Sequence, residues 1–257
     1  MCHSSYSCII VGIWTLGSAL INPLALQRSV VIFDNSGVGR STGTVPNTFA
    51  GWSENTIALM AALEIPQIDL LGFSMGGRVA QMVALNAPHL VRRLILAGTR
   101  SSIRPDTVGV GWPLLERVTN ATTPEEVEAA FTESFFMPST NGVTQAKSYW
   151  QRIHEREHDS LIMDLETTQT QLSGSWIHWE TASNHTNSYE RLGELKMPVF
   201  VANCDTDILV PTANSFVLQK MIQNSYLYIY PDTGHEFLYQ HGKLFTAHVG
   251  LFWMTSK

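Results

Sequence analysis

The stretch from Ile68 to Val79 constrains the fold of this chain more than any other part of its sequence. It opens with a short apolar run, IDLL, of the kind that forms a buried parallel strand. The segment GFSMG at 72–76 follows at once, and apolar residues then recur at helical spacing up to Asn86. Strand, G-x-S-x-G and helix in this order predict a sharp turn that presents Ser74, with glycines where strand and helix crowd together. Ser74 is therefore the candidate nucleophile.

A serine hydroxyl is a weak nucleophile at neutral pH, so this hypothesis requires a base and a carboxylate further along the chain. Strands are predicted at 198–202 and 226–230, and a loop follows each of them. The first loop carries Asp207 and the second carries His235, in the order serine, acid, histidine that such a turn uses. We expect His235 to take the proton of Ser74, and Asp207 to orient the imidazole and stabilise its cation.

Four motifs together resemble those of the α/β-hydrolases: DNSGVGRS at 34–41, GFSMGG at 72–77, DTDILVP at 205–211 and YPDTGHEFLYQ at 230–240. The resemblance runs from about Leu24 to the C-terminus, and it is strongest to small fungal and bacterial hydrolases grouped with cofactor-free haloperoxidases and esterases. It implies an α/β fold with a mostly parallel sheet flanked by helices, and it implies no cofactor. It assigns the acid to Asp207, because D-x-x-V-P is the usual setting, and it leaves Asp205 as the rival.

The first strand of such hydrolases usually ends in a His-Gly loop that donates one N–H to the oxyanion, and no His-Gly precedes Ser74 here. Only the segment from Gly12 to Gly17 is left to supply that donor. The other donor is expected to be the Met75 N–H, which the turn presents whatever the side chain. Losing one donor costs roughly a hundredfold or more in turnover. A catalytically impaired hydrolase-fold protein is therefore the alternative to an active enzyme.

The N-terminal region has no charged residue from Cys8 to Leu26. A secretory signal needs a basic region before the apolar one, and a membrane span needs about 20 mostly apolar residues without the Asn22-Pro23 interruption. We predict a strand at 8–13 and a helix at 18–26 instead. The expected location is cytoplasmic without stable membrane insertion; secretion or anchoring through this segment, and a peroxisomal location by pathway analogy, are the alternatives.

Composition limits the partners. The net charge of −6 over 257 residues argues against a nucleic-acid surface and suits an enzyme with a small-molecule substrate. Cys2, Cys8 and Cys204 form neither a disulfide framework nor a metal-ligand spacing. The oligomeric state is left open by the sequence.

The residues between the predicted strand at 92–97 and Pro198 differ in character from the rest. They predict helices at 124–136, 146–157, 161–172 and 175–182, which divides the chain into a core of 1–100 and 197–257 and a helical cap of 101–196. The resemblance places such a cap over the serine. Aromatic and methionine side chains of the cap either line an apolar pocket or pack cap onto core: Trp112, Phe135, Phe136, Met137, Trp150, Trp176 and Trp179.

One motif points elsewhere. The segment HEREH at 154–158 matches H-E-x-x-H, which on a buried helix would bind zinc with Glu155 as base. Its flanks are charged, as on a solvated helix, and no third ligand is identifiable, so we expect no metal.

These observations predict a serine hydrolase that transfers an acyl group to water. The expected substrate is an ester, thioester or lactone of a small apolar metabolite with a fatty-acyl or polyketide chain. Perhydrolysis and carbon–carbon hydrolysis use the same three residues and stay open. The resemblance to hydrolases found beside polyketide pathways implies a role in secondary metabolism or toxin biosynthesis.

Overall fold

The computed structural model describes residues 7–11, 18–109, 113, 116–117, 120–154, 178–180 and 187–255. Within these ranges, six parallel strands form one sheet in the order β2-β1-β3-β4-β5-β6. The strands are β1 Ser7–Val11, β2 Val30–Ile32, β3 Ile68–Phe73, β4 Val91–Ala97, β5 Val199–Cys204 and β6 Ser225–Tyr230. The chain passes from β1 to β2 on one side of β1, and it then crosses to form β3 on the other side of β1. In open α/β sheets, ligands bind at the carboxyl ends of the strands beside such a reversal, which here are β1 and β3.

Helices pack on both faces of the sheet, and those of the region between β4 and β5 pack on each other. The helices are α1 Ser18–Ala25, α2 Phe49–Ala62, α3 Met75–Asn86, α4 Pro124–Phe135, α5 Thr140–Ile153, α6 Ala213–Met221, α7 Phe237–Gln240 and α8 Gly242–Met254, with a 3-10 helix at Tyr189–Glu194. The α/β architecture predicted from the sequence is confirmed.

Alternation along β3 shows how the layers form, because successive side chains of a strand point to opposite faces. Leu70 packs in a cluster with residues of α2, α3 and α6. Leu71 and Phe73 pack in a second cluster with residues of α1 and α8. All six residues of β3 are buried, so this strand has helices on both sides and its end is well fixed.

The uncharged N-terminal region forms the strand and helix predicted for it. β1 pairs with both β2 and β3, and α1 continues through Pro23 to Ala25. α1 buries Leu20 and Leu24 in the cluster that α8 shares. In the described ranges, no helix is both long enough and apolar enough to cross a membrane.

Helices α4 and α5 lie in the region between β4 and β5, and both are described along their whole length. α4 begins at Pro124, as predicted, and ends at Phe135, one residue before the predicted end; a capping box between Thr123 and Glu126 starts it. The helix predicted at 146–157 is wrong at both ends, since α5 runs from Thr140 to Ile153 and starts where Ser139 accepts a hydrogen bond from Gly142 N. The helix predicted at 161–172 lies outside the described residues, and of the one predicted at 175–182 only 178–180 are described, as helix.

Candidate active site

Ser74 lies at the turn between β3 and α3. Its backbone has φ 53° and ψ −120°, a left-handed conformation that costs free energy in a non-glycine residue and occurs most often at functional sites. The turn is held because Ser74 N donates to Ala97 O at 2.9 Å and Gly77 N donates to Ser74 O at 3.0 Å. A Cβ at Gly72 would lie 2.5 Å from Gly76 O, so this close approach of strand and helix requires glycine. The predicted sharp turn is present.

His235 and Asp207 reach Ser74 from two other loops. His235 follows β6, and its Nε2 lies 3.0 Å from Ser74 Oγ. Its Nδ1 lies 2.7 Å from Asp207 Oδ2, and Asp207 follows β5. The structure therefore brings the three predicted residues into one hydrogen-bonded chain at the carboxyl ends of β3, β5 and β6.

The carboxylate of Asp207 is held by its own loop. Its Oδ1 accepts from Leu209 N at 3.0 Å and from Val210 N at 2.7 Å. These bonds occupy one oxygen and leave Oδ2 facing His235.

Asp205, the rival acid, has a different set of partners. Its carboxylate accepts from Asp232 N at 3.0 Å, from Thr233 N at 3.4 Å and from Thr206 Oγ1 at 2.7 Å. Partial burial works to raise the pKa of Asp205, but these hydrogen bonds outweigh it and lower the pKa. Asp205 thus connects the loop after β5 to the loop that carries His235, and it makes no hydrogen bond to the imidazole.

Aromatic rings enclose His235, whose side chain is fully buried. The Phe73 ring lies 5.0 Å from the imidazole centre, and the Phe135 ring of α4 lies 5.2 Å from it, edge to face. Ser74 itself is partly exposed. Because the His235 imidazole is shielded from water, its hydrogen bonds to Ser74 and Asp207 are stronger than they would be in water. The partly exposed Ser74 hydroxyl stays accessible to a ligand.

Of the two predicted sources of oxyanion donors, the Met75 N–H lies in the described part of the chain. Met75 is the first residue of α3, so its N–H has no partner within the helix and lies at the positive end of the helix dipole. The segment from Gly12 to Gly17 lies outside the described residues.

Among the predicted pocket residues, only Phe135 has a described contact with the three-residue chain. Phe136 and Trp150 pack with Phe131 in a cluster that also holds Leu209 and Val210. Met137 Sδ accepts from Thr206 Oγ1, and Trp179 packs edge to face on Phe49. Trp112 and Trp176 lie outside the described residues. Apart from Phe135, those that are described therefore mainly pack the region between β4 and β5 within itself and against the rest of the protein.

The H-E-x-x-H motif is described only at its first residue. His154 caps the end of α5, and its Nδ1 lies 2.8 Å from Trp150 O. Residues 155–158 lie outside the described ranges. Among described residues, no group of three or more His, Cys, Asp or Glu side chains is placed to hold a metal ion.

Sequence reasoning assigned no role to Glu236 or Gln240. Glu236 is 1% exposed, its Oε2 has no hydrogen-bond partner among the described residues, and burial raises its pKa well above the ordinary value. Gln240 ends the one-turn helix α7 and returns its side chain to the His235 loop. The sequence around Glu236 and Gln240 contains no pattern that predicts these contacts.

Replacing Glu236 by glutamine should stabilise the fold increasingly as the pH rises. In the wild type the folded carboxyl binds its proton more tightly than the unfolded one. The contribution of this carboxyl to the free energy of unfolding is therefore fully present below the unfolded pKa of about 4.3. It is lost as the pH rises towards the raised folded pKa. Glutamine has no such loss. Denaturant unfolding between roughly pH 5 and 8 should show a difference that widens by up to about 1.4 kcal/mol per pH unit; a constant difference would contradict the assignment.

The order of the sheet and the strand–turn–helix at Ser74 define the class of the protein as an α/β-hydrolase fold. A family model described as alpha/beta hydrolase fold matches residues 2–124. An α/β-hydrolase fold protein from Chitinophaga pinensis is 26% identical, with a TM-score of 0.83 over 99% of this chain and 91% of that chain. The chain therefore has the α/β-hydrolase fold, and its first half is similar in sequence to that family.

Relatives of known sequence carry the names of hydrolases and esterases. The 2-hydroxymuconate semialdehyde hydrolase of Pseudomonas sp. strain CF600 is 24% identical over 93% of this chain and 81% of its own length. A Rhizobium rhizogenes protein named as a carbamate hydrolase is 31% identical over 87 residues, and the chain spans only 33% of its length. The chain is accordingly an enzyme of the α/β-hydrolase class.

Proposed function

We propose that the chain is a serine hydrolase in which Ser74, His235 and Asp207 form a catalytic triad. The observation that carries this proposal is the continuous chain from Ser74 Oγ through both imidazole nitrogens to Asp207 Oδ2, with distances of 3.0 and 2.7 Å. Each end is fixed, by the strained backbone at Ser74 and by the two N–H groups on Asp207 Oδ1. Such a fixed donor–acceptor order activates a hydroxyl for attack on a carbonyl.

In the proposed reaction, Ser74 Oγ bonds to the substrate carbonyl carbon while its proton passes to His235 Nε2. The carbonyl oxygen becomes an oxyanion that accepts from the Met75 N–H at the positive end of α3. When the tetrahedral species collapses, the bond to the leaving alcohol or thiol breaks and His235 returns the proton to it. Water then attacks the acyl-serine by the same route, which releases the acid and restores Ser74. The segment from Gly12 to Gly17 is the proposed source of a second oxyanion donor.

The proposed substrate is a small apolar ester, thioester or lactone with a fatty-acyl or polyketide chain, as found in secondary metabolism or toxin biosynthesis. Support comes from the Phe135 ring, which lies edge to face on the imidazole of His235 at 5.2 Å, because an apolar side chain beside the triad favours an apolar acyl group. We assign residues 101–196 to the cap. Its helix α4 supplies Phe135, so the cap forms one wall of the site.

Carbon–carbon hydrolysis is the second candidate. It is favoured by the similarity to a 2-hydroxymuconate semialdehyde hydrolase along most of both chains. Comparing kcat/KM for 2-hydroxymuconate semialdehyde with that for p-nitrophenyl esters of increasing acyl length distinguishes the two. The proposed ester hydrolase prefers the esters by at least about tenfold, a margin of about 1.4 kcal/mol.

The test of the triad is labelling with a fluorophosphonate, read by intact mass. The folded wild type should gain one adduct, and Ser74→Ala should gain none. Ser148→Ala, which removes an exposed hydroxyl on α5, should label like the wild type. A folded wild type without an adduct would overturn the proposal and leave an impaired hydrolase-fold protein in its place.

A further inference from the structure

The loop that carries His235 is held on its core side by two side chains. Asp205 accepts from the backbone N–H groups of Asp232 and Thr233. Gln240 Oε1 accepts from Gly234 N at 3.2 Å and also from the Thr233 hydroxyl. These contacts hold the three residues that precede His235, so they fix the backbone position from which the imidazole extends.

The other end of the Gln240 amide is bonded to the cap. Its Nε2 donates to Gln145 Oε1 of α5 at 2.6 Å. The orientation of both amides follows from the bonding, because a backbone N–H at Gly234 requires the oxygen of Gln240, and its nitrogen then requires the oxygen of Gln145. The Gln240 side chain therefore joins the His235 loop to a cap helix, because its oxygen bonds to the loop and its nitrogen bonds to α5.

Helix α4 contacts the same loop through its backbone. Glu236 N donates to Phe135 O at 3.0 Å. A Cβ at Gly234 would lie 2.6 Å from Phe135 O, so only glycine lets the loop approach this closely. Both cap helices are thus linked to the residues that flank His235, α4 through Phe135 O and α5 through the hydrogen bond between Gln145 and Gln240.

We propose that Gln240 is a positioning residue that couples the seating of the cap helices to the placement of His235 against Ser74. The proposal rests on the proposed function, since it matters only if His235 acts on Ser74. Proton transfer depends on the 3.0 Å separation of Nε2 and Oγ, and small misplacements of reacting groups lower rates by large factors. When α5 is seated, Gln145 holds the Gln240 amide and, through it, the backbone at Gly234.

A second hydrogen bond joins α5 to α7 and supplies a matched control. Ser148 Oγ lies 3.1 Å from Tyr239 OH. Ser148 lies one helical turn from Gln145, and Tyr239 is the neighbour of Gln240. The described hydrogen bonds of the Tyr239 hydroxyl include none to the His235 loop. Both bonds contribute to cap attachment, but only the one from Gln145 continues to the loop.

The experiment measures the second-order rate of fluorophosphonate labelling of Ser74 across pH in the full chain. Gln240→Ala is expected to slow labelling about tenfold and Gln145→Ala about threefold, with Ser148→Ala at the wild-type rate. Gln145→Glu should restore the wild-type rate, because its carboxylate still accepts from Gln240 Nε2. The double variant Gln145→Ala/Gln240→Ala should be no slower than Gln240→Ala, because both changes break one linkage.

The outcomes separate this proposal from the proposed function. If the folded wild type is not labelled, the proposed function fails and this coupling fails with it. If the wild type is labelled but Gln145→Ala reacts at the wild-type rate, the coupling alone is overturned. It is also overturned if Ser148→Ala is slowed as much as Gln145→Ala, or if the two single effects multiply in the double variant, since cap attachment in general would then account for them.

Discussion

Changing Asp207 to asparagine is expected to lower kcat for ester hydrolysis about ten-thousandfold in a protein that stays folded. The loss comes from the tautomer of His235 and needs no loss of shape. In the wild type, Asp207 Oδ2 accepts from the imidazole Nδ1–H, which leaves Nε2 free to take the proton of Ser74.

The direction of the asparagine amide can be derived from its surroundings. Leu209 N and Val210 N both donate to Oδ1 of Asp207, so the oxygen of an asparagine must occupy that position. Its NH2 group then faces His235 Nδ1 and donates to it. The imidazole is forced to carry its proton on Nε2, where it can donate to Ser74 but cannot act as a base.

Asp205→Asn is the matched control for this prediction. Asp205 binds the backbone of the His235 loop and not the imidazole, so its replacement should lower kcat by about tenfold at most. The downfield proton signal of imidazole Nδ1 should disappear in Asp207→Asn and remain in Asp205→Asn. Equal losses of kcat in the two variants would mean that Asp207 is not the orienting acid.

The features that were predictable from the sequence are those formed by neighbouring residues. The turn at Ser74 is a strand, a glycine-flanked serine and a helix in direct succession, and each part has its own local signal. The hold on Asp207 is local as well, because the two N–H groups that it accepts belong to residues two and three positions later. The order of acid and histidine along the chain then selects His235 and the loop that carries Asp205 and Asp207, and the resemblance to α/β-hydrolases assigns the acid to Asp207.

The features that were not predictable join residues far apart in sequence. Asp205 binds backbone 27 residues away, and Gln240 binds Gln145 across 95 residues; polar side chains of this kind are usually on the surface. The start of α5 was predicted too late for a related reason. Its first turn is largely exposed and polar, so apolar periodicity is absent there, and the only signal is Ser139 as the N-cap.

Removing the carboxylate of Asp69 is expected to produce the largest loss of stability, about 3–5 kcal/mol for Asp69→Ala. Asp69 is the second residue of β3, and its side chain is fully buried between Arg28 and Arg92. Arg28 Nη1 lies 2.7 Å from Asp69 Oδ2, and the guanidinium of Arg28 lies over the Trp253 ring at 4.3 Å. Without the carboxylate, two largely buried guanidinium groups lose the anion that they share, and alanine leaves a cavity beside them.

Glu133→Ala is the appropriate control, since Glu133 forms an ion pair with Arg117 in which both side chains are more than half exposed. Such pairs contribute about 1 kcal/mol or less. Denaturant unfolding should therefore separate the two variants by several kcal/mol, and thermal unfolding by roughly 10 °C. Five residues of strand place Ser74 about 17 Å from Asp69, so folded Asp69→Ala should still be labelled at Ser74. A small loss of stability would mean that the two arginines are solvated in the folded state, whereas a stable variant without labelling would mean that the ion cluster acts on the site through β3.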